Sequence, residues 1–329
     1  MQIIVISILF LLFCGPNVLA APPQNYLYTS SGQLEKLQAL LARPDIDGVQ
    51  IIYTWKQLEK YKGIYDFSAV ENDLAILNKM NKKLFIQIQD RFFKPNDKNI
   101  PFYLQQEPQY HGGLIAQSDN PGEGKFPAQG WVAMQWNTAL RKRYQHLLTA
   151  LAISFDGKIT GINLPETAID IDMKKENTGF TCNSYFSATL DNIIFARKVF
   201  KKSSVVQYVN FWPCEWNNDH NYMSRFFDIA QKNNIGLGGP DIIPYKSGQM
   251  KNSYPFFHKY KNKLNLVAMA VQEPTLTYTN PQTKKNLLSK SSANLQRNIW
   301  GLILFSGVSV LPGLILKNGT GVTALSFPP

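Results

Sequence analysis

The chain has 329 residues, 44% of them hydrophobic and 12% aromatic, a composition that excludes a disordered or low-complexity protein. Its 34 Lys and Arg against 23 Asp and Glu leave a formal charge of +11, which raises the question of a polyanionic partner. The basic pairs Lys82-Lys83, Lys174-Lys175, Lys201-Lys202 and Lys284-Lys285 are scattered at the edges of apolar segments and do not cluster with aromatics, so no nucleic-acid partner is expected.

The chain opens with an apolar run from Ile3 to Phe13, followed by Val18-Leu19-Ala20, which puts small or modest residues where a signal peptidase cuts. Residues 1–20 read as a secretory signal, which leaves 21–329 as a secreted or periplasmic chain. No later stretch reaches the roughly 18 uninterrupted apolar residues of a membrane span. Ile299 to Leu316 comes nearest and is broken by Gly301, Ser306, Gly307, Pro312 and Gly313. Beyond the signal only Cys182 and Cys214 remain, and an oxidising compartment permits a disulfide between them; a pair of buried thiols is the other reading.

Short β-branched runs then alternate with segments of helical periodicity. Strands are expected at Tyr26–Thr29, Gly48–Trp55, Lys83–Asp90, Ile159–Glu166, Val205–Trp212, Ile235–Ile242, Leu264–Glu273 and Gly307–Leu311. Helices are expected at Gly32–Leu41, Ser68–Met80, Asn137–Ile153, Ser184–Phe200, Asn221–Asn233 and Ser291–Phe305, with Ser68 and Glu71 forming a capping box at the start of the second. This alternation, without a Pro- or Ser-rich linker, predicts an α/β fold: one (β/α)8 TIM barrel over 21–329. A doubly wound sheet is disfavoured because no Gly-rich phosphate loop follows the first strand. One connection is anomalous, the segment from Arg91 to Gln135, which carries Pro95, Pro101, Pro108, Pro121 and Pro127 with interspersed aromatics. It reads as one long functional loop after the third strand.

Catalytic groups of a barrel sit where its strands end. The polar residues closing these strands are Asp90, Glu166, Asn210, Asp241, Gln272 and Glu273, with Trp55, Trp212 and Trp216 near the same ends as candidate sugar-stacking platforms, core packing being the other reading. Glu166 and Glu273 close the fourth and seventh strands, whose ends face each other across a barrel mouth. Two carboxylates in one cleft push each other's titration apart, one held as an acid and the other ionised as nucleophile or base. Glycosidic bond cleavage needs that division of labour, with retention at a carboxyl separation of about 5 Å and inversion at about 6.5–9.5 Å.

The stretch Trp55-Lys-Gln-Leu58-Glu59, continued by Gly63, Tyr65, Asp66 and Phe67, resembles a motif of the clan A glycoside hydrolases, the TIM-barrel group of β-galactosidases and cellulases. The resemblance implies a two-glutamate, retaining hydrolase with Glu166 as general acid/base and Glu273 as nucleophile. Asp90, Asn210, Trp212, Asp241, Trp55 and Gln272 would then line the sugar site. Clan members carry Asn immediately before the acid/base glutamate, whereas this chain has Pro165 there, with Asn163 further back and Asn210 as a substitute donor. That departure leaves a second reading open, a barrel that binds carbohydrate without hydrolysing it. The expected partner is an oligo- or polysaccharide, anionic if the basic charge has a counterpart. No cofactor is expected; His111, His146, His220 and His258 lack ligand spacing, which disfavours a metal site, and the absence of a Gly-x-Ser-x-Gly elbow disfavours a serine nucleophile.

Overall fold

The computed structural model describes residues 24–92, 94–118, 130–173, 178–239, 247–261, 263–264, 267–269 and 304–306. Eight parallel strands pair in chain order: β1 Gln24–Ser30, β2 Gly48–Thr54, β3 Lys83–Gln89, β4 Gly161–Leu164, β5 Ser204–Tyr208, β6 Gly236–Gly239, β7 Val267–Met269 and β8 Leu304–Ser306. Pairing of β8 with β1, Leu304 opposite Gln24, closes the ring. The longest register runs from Gly48 opposite Lys83 to Thr54 opposite Gln89. The eighth strand lies earlier than the pattern suggests. Leu304 and Phe305, expected as the end of a helix, are extended and bonded to β1 and β7, and Gly307–Leu311 lies outside the described residues.

Apart from single turns at Gln38–Leu41, Trp55–Leu58 and Tyr103–Gln106, the described α-helices are α1 Ser68–Lys79, α2 Thr138–Phe155, α3 Cys182–Val199, α4 Tyr222–Lys232 and the short α5 Ser247–Asn252 and α6 Tyr254–Lys259. Their starts follow from side chains that take the orphan amides of the first turn. Asn137 Oδ1 accepts from Leu140 N at 2.9 Å, and Thr181 and Ser184 cap each other reciprocally at 3.0 and 2.9 Å. The expected box of Ser68 with Glu71 does not form. Phe67 occupies the cap position and Asp66 Oδ1 accepts from both the amide and hydroxyl of Ser68, so the carboxylate two residues earlier has taken the serine's place.

Inside the ring, Tyr26, Phe85, Val206 and Tyr208 form their own apolar cluster. Large rings fit there because their neighbours have no side chain. A Cβ on Gly48 would stand 2.6 Å from Tyr26 Cε1 and 2.3 Å from Lys83 O, and one on Gly161 would stand 2.9 Å from Phe85 Cζ and 2.5 Å from Ser204 O. Gln50 donates to Gln87 Oε1 at 2.5 Å and accepts from the Tyr208 hydroxyl at 3.1 Å, so a polar pair sits on the apolar cluster. The main core lies outside the ring, where Leu84, Ile86 and Ile88 of β3 join Leu74 and Leu77 of α1 and Leu147 and Leu151 of α2. Burying each such side chain contributes about 1.5–3 kcal/mol.

The described residues of the segment from Arg91 to Gln135 include regular structure. Arg91–Phe92, Gly130–Ala133 and Leu114–Gln117 form an antiparallel sheet, and Tyr103–Gln106 adds a helical turn. Its Ile100, Leu104, Tyr110, Ile115 and Val132 are buried in the main core. Cys182, the first residue of α3, is disulfide-bonded to Cys214 beyond β5, with the Cα atoms 6.1 Å apart. The bond ties together the chain leaving β4 and the chain leaving β5.

Candidate active site

Glu166 follows β4 by two residues and is half-buried. Its peptide is fixed from three sides. Gln207 Nε2 donates to the carbonyl of Pro165, Arg91 Nη1 donates to that of Glu166 at 2.9 Å, and the Tyr185 hydroxyl donates to that of Thr167 at 2.9 Å. Three consecutive carbonyls therefore each take a side-chain donor. Thr167 adds two anchors to the neighbouring strand end, its amide donating to Tyr208 O at 3.0 Å and its hydroxyl to Phe211 O at 2.9 Å. The backbone that carries the carboxylate is thereby held in one place before any ligand arrives.

Arg91 is buried and reaches this position through an ion pair with Asp90 at 2.9 Å, both side chains at most 5% exposed. The chain continues outward: Gln135 donates to Asp90 Oδ2 at 3.0 Å, and Asn192 of α3 donates to Gln135 at 3.1 Å. Burial works against the Arg91 charge, yet Asp90 and Tyr185 beside it hold its pKa above the ordinary value. Burial likewise raises the Tyr185 phenol, against the pull of Arg91, so it stays a neutral donor. A buried pair of this kind contributes little net stability but fixes geometry when every partner is satisfied. Arg91, Tyr185, Glu166 and Gln207 border a cavity of about 20 Å³, the size of one water molecule.

The other expected site residues fall into three groups. Asp90 joins Glu166 in this network, but its carboxylate is occupied by Arg91 and Gln135, so it is a support and not a sugar ligand. Asn210 is half-buried beside the platform and its amide donates to Thr167 Oγ1 at 3.2 Å. Trp55 and Trp212 are not sugar platforms. Trp212 is 2% exposed, with Phe186 and Phe226 at ring distances of 4.9 and 5.1 Å, because the chain beyond β5 turns its indole inward between α3 and α4. Trp55 is fully buried edge-on to Tyr144 at 5.1 Å. Trp216, half exposed, is the tryptophan of that region open to solvent. Asp241, Gln272 and Glu273 lie outside the described residues.

The Trp55 to Phe67 stretch has a structural explanation centred on Glu59, which is fully buried. Its carboxylate accepts from Trp55 Nε1 at 2.8 Å, Gly63 N at 2.8 Å and the Tyr103 hydroxyl at 3.0 Å, and pairs with Arg143 of α2. Gly63 has φ of +75°, a left-handed turn that glycine adopts without strain and that aims its amide back at the glutamate. Asp66 then starts α1, and Phe67 packs edge-on against Phe155 at 5.6 Å. The spacing is that of one buried hub and the turn around it.

Glu215, unnoticed in the sequence, performs a similar task for α4. It accepts from the amides of Tyr222 and Met223 at 2.6 and 2.9 Å. Burial nevertheless raises its pKa above the ordinary glutamate value, so the folded chain binds its proton more tightly than the unfolded one. Stability from this group is therefore fully present below the unfolded pKa and is lost as pH rises through the folded one. In urea denaturation, Glu215→Gln should flatten the decline in midpoint across that window; an identical decline in parent and variant would show that another group causes it.

Among the described residues no helix is long and apolar enough to cross a membrane, and no group of His, Cys, Asp and Glu is arranged to hold a metal. No protein-family model matches the chain, and no curated protein matches it in sequence. Solved structures do match. A β-galactosidase from the psychrophilic Marinomonas ef1 superposes with a TM-score of 0.54 at 8% identity, over 88% of this chain and 55% of that one. The catalytic core of xylanase A superposes with a TM-score of 0.50 at 11% identity, over 88% of both chains. A thermostable xylanase mutant from Cellvibrio japonicus aligns at 0.48 and 12% identity, over 88% and 87%. At these identities the likeness is one of fold, and the chain shares the fold of clan A glycoside hydrolases, the group that residues 55–67 resemble.

Proposed function

We propose that this chain is an exported glycoside hydrolase built as one complete (β/α)8 barrel, cleaving O-glycosidic bonds with Glu166 as general acid/base and Glu273 as nucleophile. The observation that carries the reading is the platform under Glu166. Three successive carbonyls around one carboxylate at the end of a barrel strand are each held by a buried donor, an investment that a merely solvated glutamate does not need. In the proposed mechanism Glu166 protonates the leaving oxygen while Glu273 attacks the anomeric carbon, and Glu166 then removes a proton from the water that releases the sugar. Asn210, at the neighbouring strand end, is the donor available to a sugar hydroxyl where Pro165 replaces an amide side chain. The export signal at residues 1–20 agrees with an extracellular polymer as substrate.

Pro165 supports a second reading, a barrel that binds carbohydrate without cleaving it. One experiment separates the two. The purified chain is incubated with a panel of aryl glycosides and the product anomer is followed by proton NMR. The hydrolase reading expects turnover with retention. Saturable binding to a glycan array with no product from any member of the panel would favour the binding module.

A further inference from the structure

Tyr144 of α2 is a buried polar residue that the platform under Glu166 does not use. It is 1% exposed, and its ring packs edge-on against Trp55 at 5.1 Å. Its hydroxyl is buried and makes no hydrogen bond to any described residue. Tyr144 borders the same cavity of about 20 Å³ as Glu166. Asp90 and Arg91, which border it too, both act on the charge of the phenol, so its oxygen lies toward that pair. A phenol hydroxyl left in the interior without a partner costs about as much as a lost hydrogen bond, and a water beside it removes that cost. The cavity has room for one, since a single water needs roughly 10–15 Å³.

The other polar side chains around the cavity are engaged elsewhere. Asp90 accepts from Arg91 at 2.9 Å and from Gln135 at 3.0 Å, and Asn192 donates to Gln135 at 3.1 Å and accepts from Gln145 at 3.3 Å. The Thr189 hydroxyl donates to Tyr185 O at 3.0 Å, and Gln207 Nε2 donates to the carbonyls of Pro165 and Tyr208. The Tyr144 hydroxyl therefore stands apart, buried at a cavity that one functional carboxyl also borders.

From this geometry we propose that the cavity holds one ordered water, which accepts from the Tyr144 hydroxyl and donates to the Glu166 carboxylate, and that Tyr144 is a positioning residue for that glutamate. Burial, with Asp90 nearby, holds the phenol protonated, so Tyr144 is the donor end of the link. A hydrogen bond donated to a carboxylate favours its ionised form. The consequence for catalysis rests on the reading of Glu166 as acid/base. Glu166 acts protonated in the first step and ionised in the second, and the water favours the ionised form. Among the described residues, the charged and titratable groups around the cavity are Asp90 and Arg91 beyond β3, Tyr144 on α2 and Tyr185 on α3. Asp90 and Arg91 pair with each other, and Tyr185 spends its proton on the carbonyl of Thr167. Tyr144 is thus the donor of this set whose proton is not committed.

Two measurements without substrate test the link. One is a crystal structure of the parent that resolves ordered water. The other is a carbon-13 NMR titration of the Glu166 δ-carboxyl, identified by its absence from Glu166→Gln, in the parent, in Tyr144→Phe and in Tyr110→Phe, whose ring is buried but does not line the cavity. Tyr144→Phe keeps the ring and its contact with Trp55. The expected result is one water within hydrogen-bond distance of both Tyr144 Oη and a Glu166 carboxylate oxygen. The titration midpoint of Glu166 should rise by roughly half to one pH unit in Tyr144→Phe, the size of one hydrogen bond, and stay at the parent value in Tyr110→Phe. In a chain that turns over a glycoside, the alkaline limb of kcat/KM should move upward with it. A dry cavity, a water bonded to Tyr144 but not to Glu166, or a midpoint that Tyr144→Phe leaves unchanged or lowers would each overturn the assignment. The parent's density decides the question even if the variant fails to fold. Only the limb of kcat/KM depends on hydrolysis, so a chain without glycosidase activity would refute the catalytic reading while the water is still judged on its own.

Discussion

Glu59→Ala is expected to destabilise the fold by about 3–5 kcal/mol, the cost of breaking a buried ion pair and leaving one partner charged. Four donors converge on that carboxylate from three places in the chain: Trp55 and Gly63 in its own turn, Tyr103 in the following segment, and Arg143 on α2. Removing it strands the Arg143 guanidinium, 14% exposed, without its ion-pair partner, and leaves a buried indole N–H without an acceptor. Glu59→Gln should cost less, because an amide oxygen still accepts from Trp55 or Gly63 while the charge on Arg143 remains uncompensated. Urea denaturation followed by tryptophan fluorescence measures both. A Glu59→Ala midpoint close to the parent's would mean that the stretch from Trp55 to Phe67 is held by its packing alone and not by the buried hub.

The second large effect concerns turnover. Glu166→Gln keeps the volume and the peptide contacts of the platform, since Gln207, Arg91 and Tyr185 all bind main-chain oxygens and not the side chain that changes. What is lost is the transferable proton. General acid catalysis contributes about 10²–10⁴-fold, and the loss should follow the leaving group. Glycosides with poor leaving groups are expected to lose that whole factor, whereas an activated nitrophenolate, which departs without protonation, should lose much less from the bond-breaking step. Because the same residue also serves the leaving-group-independent release step, the comparison is made in kcat/KM, which reports bond breaking; a uniform loss of kcat/KM across leaving groups would indicate that the variant damages binding or fold. An unchanged rate would remove Glu166 from the mechanism.

Much of the scaffold was legible in the sequence because its signals are local. The apolar runs around Gly48–Thr54 and Lys83–Gln89 and the periodic segments of α1 to α4 were placed to within a few residues, since burial on both faces of a parallel strand and on one face of a helix leaves a direct pattern. Where two patterns overlap, the reading slipped. Leu304 and Phe305 sit in an apolar stretch that fits a helix or a strand equally well, and only pairing with β1 and β7 decides it. The functional site was less legible. Glu166 and Asp90 were identifiable as polar ends of apolar strands, but nothing local shows that Asp90 is consumed by Arg91 and Gln135. Trp55 and Trp212 have the composition of sugar platforms, and their burial is set by Tyr144, Phe186 and Phe226, residues distant in the chain. Gln207 gave a faint signal as a polar residue inside the run Val205 to Val209, and its meaning emerges only when the carbonyl of Pro165 is seen beside it.

The central claim is that two glutamates from opposite strands act on one glycosidic bond, and trapping the nucleophile tests it most directly. A substrate glycoside carrying fluorine at C2 and a good leaving group forms the covalent intermediate but turns it over slowly, and peptide mapping by mass spectrometry then locates the sugar. The account predicts a single adduct on the peptide containing Glu273, formed in the parent and abolished by Glu273→Gln. An adduct on another carboxylate, or no adduct in a chain that hydrolyses the parent glycoside, would contradict it.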